Sequence, residues 1–186
     1  MSASATVLCL RHCQSSGQEP DADLTGKGRA DAQALAAALA RWRPERLVTS
    51  PFRRARQTLE PLAQARALPL EVDARFREQR FHGPEFADWR PILRQSFADP
   101  DLRLPDGETS REAQARGLAA LIHVAAQARR TVVATHGKLL SLLIGRVQPE
   151  FGYDHWLKLR NPDAFLFTFD GGRPVAVQQL DPFALT

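Results

Sequence analysis

Two short apolar, β-branched runs, Thr6 to Leu10 and Thr131 to Thr135, each give way within two residues to a histidine, His12 and His136. Runs of this length and composition predict buried strands, and each is followed by a segment of helical character, the order expected of a parallel α/β sheet. Leu47-Val48-Thr49 predicts a third strand, and the Ser50-Pro51 turn after it reads as the start of a helix over residues 53 to 66. Residues 26 to 42 are alanine-rich and carry Leu35, Leu39 and Trp42 on one stripe, so they predict a second helix; both should flank the sheet. After the turn Pro105-Asp106-Gly107, Thr109-Ser110-Arg111-Glu112 has the spacing of a capping box and opens a helix to about residue 128, with His123 inside it as a structural residue. A further helix over 138 to 146 follows the second histidine. Ala164 to Phe169 and Val175 to Leu180, about Asp170-Gly171-Gly172, predict a β-hairpin.

In open parallel sheets ligands gather at the carboxyl ends of the strands, where this reading places both histidines. What surrounds them is cationic. Arg11 adjoins His12, and Arg54 falls in the first turn of a helix, beside the free N–H groups that favour anions. Ala55 then turns into the core, while Arg53 and Arg56 solvate the helix face. The basic residues of the chain are nearly all arginine, whose planar fork grips phosphate in a way lysine cannot match. A zinc site would need three or four neutral or anionic ligands, which guanidinium groups in the same pocket oppose, and neither an HExxH run nor paired-cysteine spacing occurs. No metal and no cofactor are therefore expected. A cysteine phosphatase would carry an arginine six positions after its cysteine; from Cys13 that position is Glu19. Cys13 reads as a loop filler and Cys9 as a core residue of the first strand.

Arg11-His12-Cys13-Gln14-Ser15, Leu24-Thr25-Gly26-Lys27-Gly28, Ser50-Pro51 to Thr58, Arg77-Glu78, Pro105-Asp106-Gly107-Glu108-Thr109 and Thr135-His136-Gly137 together resemble, in order, the motifs of the histidine phosphatase superfamily, also called the phosphoglycerate mutase-like family. That resemblance implies a three-layer α/β/α sandwich with a mostly parallel central sheet and a phosphohistidine intermediate formed without metal. It also implies roles: His12 as nucleophile, Glu78 as proton donor, His136 as the second pocket histidine, and Arg11, Arg54, Ser15, Gln18 and Gly137 around the phosphoryl group. The chemistry is coherent, because phosphoryl transfer requires mainly positioning and charge stabilisation. His12 must be neutral to attack phosphorus, a state that adjacent arginine favours. The family most often has glycine where Cys13 stands, an asparagine where Gln18 stands, and a small residue where Lys138 stands; Lys138 is expected to lie along its helix in solvent.

At 186 residues and 44% hydrophobic content, the chain suits one domain, residues 1–186, with a short lid insertion about 79–105 that includes Phe81, His82, Phe86 and Trp89. A net charge of +4 without a run of like charges argues against a nucleic-acid partner. No apolar stretch of spanning length and no basic-then-apolar leader is read, so a cytoplasmic location away from the membrane is expected; two cysteines near one strand suit a reduced compartment. The short lid favours hydrolysis of a small phosphorylated metabolite. A phosphoglycerate mutase-type transfer and a phosphate-binding regulatory protein without turnover are the alternatives.

Overall fold

Along β1 (Thr6–Arg11) the side chains divide between two apolar layers. Val7 and Cys9 enter one core and Leu8 and Leu10 the other, all without exposure. A strand buried on both faces needs cover on both faces. It pairs in parallel with β4 (Arg130–Thr135), which pairs in parallel with β2 (Arg46–Thr49), and that in turn with the short edge strand β3 (Leu70–Val72). On its other side β1 pairs antiparallel with β5 (Asp163–Asp170), which returns as β6 (Arg173–Leu180). The sheet order is β3-β2-β4-β1-β5-β6. The turn between β5 and β6 is Gly171-Gly172, both at positive φ (53° and 76°), the backbone that a two-residue hairpin needs.

The computed structural model describes residues 5–80, 90–103 and 105–185, so the expectations for Phe81, His82, Phe86 and Trp89 lie outside the described residues. Helices α1 (Gly26–Trp42) and α2 (Arg53–Arg66) cover one face, burying Leu35, Leu39, Ala55, Leu59 and Leu62 against Leu8, Leu10, Leu47 and Val132. Helix α3 (Arg90–Ala98) follows the undescribed stretch. Helices α4 (Ser110–Ala125) and α5 (Gly137–Gly145) cover the second face with Leu121, Val124, Leu139 and Leu143 on Val7, Cys9, Val133 and Phe167. A four-residue helix α6 (Tyr153–Trp156) packs beside α3 and α5. The result is a three-layer α/β/α sandwich about a mostly parallel sheet. Among the described residues no helix is long and apolar enough to cross a membrane.

Differences from the sequence reading have local causes. Helix α2 starts where the Ser50-Pro51 turn placed it, with Phe52 at the cap position; Ser50 Oγ accepts the Phe52 N–H (3.3 Å) and also meets His136. Thr109 and Glu112 do form the reciprocal capping box of α4, but the helix ends at Ala125, three residues early. The edge strand β3 and the short 3-10 turn over Ala74–Phe76 had no strong period to announce them.

Candidate active site

The carboxyl ends of β1, β2 and β4 converge, and the chain passes from strand to site within one residue in each case. His12 N–H donates to Thr135 O (3.0 Å) and Ser50 N–H to Ala134 O (3.0 Å), so the ladder runs up to the pocket floor. The rings of His12 and His136 meet edge to face with centroids 5.3 Å apart. Both are buried. Asn161 Nδ2 donates to His12 O (2.7 Å) and Arg11 Nη1 to Leu159 O (2.8 Å), holding the Arg11-His12 pair from behind.

His12 has its proton assigned by its neighbours. Nδ1 lies 2.7 Å from Cys13 O, an acceptor, and Nε2 lies 3.1 Å from Arg54 Nε, a donor. The ring is therefore the Nδ1–H tautomer, with the Nε2 lone pair facing Arg54. Burial drives the His12 pKa down to about 3; the hydrogen bond to Cys13 O opposes this, and Arg54 and Arg11 reinforce it. His136 is pushed well below the ordinary histidine value by burial, then by His12 and the arginines. Its Nε2 pairs with Ser50 Oγ (2.7 Å), and Phe52 packs edge-on at 4.8 Å between centroids. Two buried nitrogens beside this pair, Arg11 Nε and His136 Nδ1, have no hydrogen-bond partner among the described residues.

Arg54 is 1% exposed, as its place in the first turn of α2 predicts. Besides His12 it reaches Gln18 O (3.0 Å) and Glu19 O (2.8 Å), so the 14–19 loop closes over it. Gln18 thus meets Arg54 through its carbonyl, and its side chain is exposed. Ser15 Oγ donates to Gly17 O (2.9 Å) within the loop. Cys13 is fully buried, its N–H held by Thr58 Oγ1 (3.0 Å), and its φ is not positive, so a side chain is tolerated where the family favours glycine. Gly137 sits in close approach: a Cβ there would stand 3.1 Å from both Arg11 Nε and Trp156 Nε1.

Glu78 comes to the same place from the segment after the 3-10 turn. Its Oε2 accepts from Lys138 N (3.0 Å) and its Oε1 from Leu139 N (2.9 Å) and Gln79 N (2.9 Å). The N-terminus of α5 thus holds a carboxylate, the charge that its free N–H groups favour. Lys138 departs from expectation. It is 2% exposed, because Phe97 on α3 lies over it with the ring centroid 3.1 Å from Nζ, and Nζ has no hydrogen-bond partner among the described residues. Burial lowers its pKa from 10.5 to about 7 against the pull of Glu78.

Four further residues escaped the sequence reading. Ser50, Asn161 and Arg116 act through bonds to residues far along the chain, and Trp156 stands beside Gly137 and stacks on Tyr153 (5.8 Å between centroids). Only Ser50 had a signal, its place after a strand end, and that was read only as the turn before a helix.

Comparison with known proteins bears on the family and the fold. The family model described as histidine phosphatase superfamily (branch 1) matches residues 7–181. A protein named probable phosphoglycerate mutase GpmB from Citrobacter koseri is 30% identical over 159 residues, covering 77% of this chain and 72% of its own. Among solved structures, Bacillus stearothermophilus YhfR is 25% identical with a TM-score of 0.77, covering 96% of this chain and 99% of its own. A mycobacterial glucosyl-3-phosphoglycerate phosphatase, 22% identical, shares the fold with a TM-score of 0.74 over 95% of this chain and 97% of its own.

Proposed function

The chain belongs to the histidine phosphatase superfamily, and from that premise we propose that it hydrolyses small phosphomonoesters through a phosphohistidine on His12. The observation that carries this reading is the His12 ring: neutral, fixed in the Nδ1–H tautomer, and turning its Nε2 lone pair into a cluster of cations. Arg54 Nε exchanges His12 Nε2 for a phosphoryl oxygen when substrate enters. The orphaned nitrogens Arg11 Nε and His136 Nδ1 then gain the acceptor they lack. Ser15, Gln18 and Gly137 belong to the loop and helix end that frame the same group.

Nε2 attacks phosphorus, the N–P bond forms as the P–O bond to the alcohol breaks, and the departing oxygen takes a proton from the Glu78 carboxyl. Water then attacks the phosphohistidine, its proton passes to the Glu78 carboxylate, and inorganic phosphate leaves His12 neutral again. Preorganised donors placed where charge develops supply most of the rate. No step calls on a metal or cofactor. We read the whole chain as one catalytic domain with a lid about 79–105, acting in the cytoplasm on a phosphorylated metabolite. The likeness to a probable phosphoglycerate mutase favours, as second reading, return of the phosphoryl group to a product held in the pocket.

The test is turnover of an aryl and an alkyl phosphate in chelator, with acid-quenched trapping of the enzyme adduct. His12→Ala is expected to lose both activities and the acid-labile adduct. Glu78→Gln is expected to lose about 10²–10⁴-fold on the alkyl ester, the usual worth of general acid catalysis, and far less on the aryl ester. Activity that survives in His12→Ala refutes the mechanism; phosphoryl transfer to an added alcohol in preference to water selects the mutase reading.

A further inference from the structure

The motif Pro105 to Thr109 has no part in the chemistry above, and neither does the most heavily bonded cation among the described residues. Arg116 on α4 uses all five of its N–H donors. Nη1 donates to Arg75 O (2.6 Å) and Arg77 O (2.9 Å), and Nη2 to Glu78 O (3.2 Å). The remaining two N–H groups, on Nε and Nη2, grip Glu108 Oε2 (2.9 Å) and Oε1 (2.5 Å). Three carbonyls of the strandless segment that carries Glu78 are therefore gathered on one guanidinium.

Glu108 completes the frame. Besides Arg116 it accepts from Arg80 N (3.2 Å) and Arg77 Nη2 (3.3 Å), while its own carbonyl takes Gln79 Nε2 (3.1 Å) and its N–H goes to Arg80 O (3.1 Å). Both partners are largely buried, with side-chain exposures of 13% and 10%. On the far side, the Glu78 carboxylate is fixed by the N-terminal N–H groups of α5. The backbone of residue 78 is thus clamped from α4 and its side chain from α5.

We propose that the Arg116–Glu108 pair is the positioning device for the proton donor, holding the Glu78 carboxyl in register with the leaving-group oxygen above His12. The inference rests on the reading of Glu78 as proton donor. Arg116 touches no reacting atom; it acts only through where it puts residue 78. A lysine in its place keeps the charge but cannot span three carbonyls and a carboxylate at once.

A positioning role is separable from general support of the fold by the leaving group. The second-order constant kcat/KM reports the steps up to phosphoryl transfer onto His12, and a p-nitrophenolate leaves without a proton whereas an alkoxide does not. For Arg116→Lys we expect kcat/KM to fall less than about threefold on p-nitrophenyl phosphate and about 30-fold or more on an alkyl phosphate. The slope of log kcat/KM against leaving-group pKa should steepen accordingly. In a Glu78→Gln background the same substitution should add nothing, as coupled residues require. Added guanidinium should restore alkyl ester turnover in Arg116→Ala. Where single variants fail to fold, Arg116→Met with Glu108→Gln removes both charges together and is expected to show the same steepened slope. Equal losses on both substrates, or full additivity with Glu78→Gln, overturn the proposal. A Glu78→Gln enzyme that itself shows no leaving-group dependence refutes the proton donor instead.

Discussion

Lys138→Met removes a charge that the fold buries without a hydrogen-bond acceptor among the described residues, and the consequence can be worked out for every pH. The amine is 2% exposed and stands at the second position of α5, where the positive end of the helix also opposes a cation. Burial outweighs the attraction of Glu78, so its pKa falls from 10.5 to about 7, while in the unfolded chain the same amine keeps a value near ~10.4. Between those values the unfolded state binds the extra proton. Stability therefore rises with pH from about 7 to about 10.5 and is level below that window. At about 1.36 kcal/mol per pH unit the window amounts to a ceiling of about 5 kcal/mol. Replacing buried ions with apolar groups of similar volume gains about 1–4 kcal/mol, and methionine gives up a cation–π contact worth about 1–2 kcal/mol. The stability of Lys138→Met relative to the parent is expected to be most favourable at pH 7 and to decline steadily toward pH 10.5, by as much as that ceiling of about 5 kcal/mol. Urea unfolding of both proteins at pH 7, 8, 9 and 10 reads it directly, since every other titrating group is common to the two. Parallel stability curves across that range, or a variant weaker at every pH, would refute the reasoning.

Three other outcomes follow from the same geometry. His12 is neutral in the folded protein down to about pH 3 but titrates near its ordinary 6.5 when unfolded, so stability is complete above about 6.5 and falls as pH drops from there towards 3; His12→Gln should lessen the drop in thermal midpoint between pH 7 and pH 4. Gly137→Ala places a methyl 3.1 Å from Arg11 Nε and Trp156 Nε1, which should displace the Arg11 side chain and, on the proposed reading, weaken inhibition by inorganic phosphate about tenfold, about 1.4 kcal/mol, with the circular dichroism unchanged. Gly28→Ala would set a Cβ 2.0 Å from Gln14 O, forcing α1 away from the loop after His12; overpacking against backbone should cost about 3 kcal/mol, measured by denaturant unfolding.

What could be read from the sequence was whatever depended on residue type at a strand or helix end. Strands buried on both faces declare themselves as unbroken apolar runs, and β1 and β4 put His12 and His136 at their carboxyl ends as such runs require. Arg54 was legible because the helical period puts 54, 55 and 58 on the inward face of α2 and 53 and 56 on the outward one, and Arg53 and Arg56 duly face solvent. Ser50 was read only as a turn residue for a physical reason: a serine before a helix looks the same whether or not its hydroxyl also meets a histidine 86 residues away. Lys138 was misplaced because what buries it, Phe97, comes from a helix with no local relation to α5. Arg116 left no trace at all. Its acceptors in the segment 75–78 are main-chain carbonyls 38 to 41 residues distant, and every residue has a carbonyl. Chemistry in this protein is written in side chains of uncommon type, but alignment is delivered by backbone groups that carry no identity. A substitution at 50 or 116 therefore looks harmless by pattern and harmful by geometry, and for these two positions geometry decides.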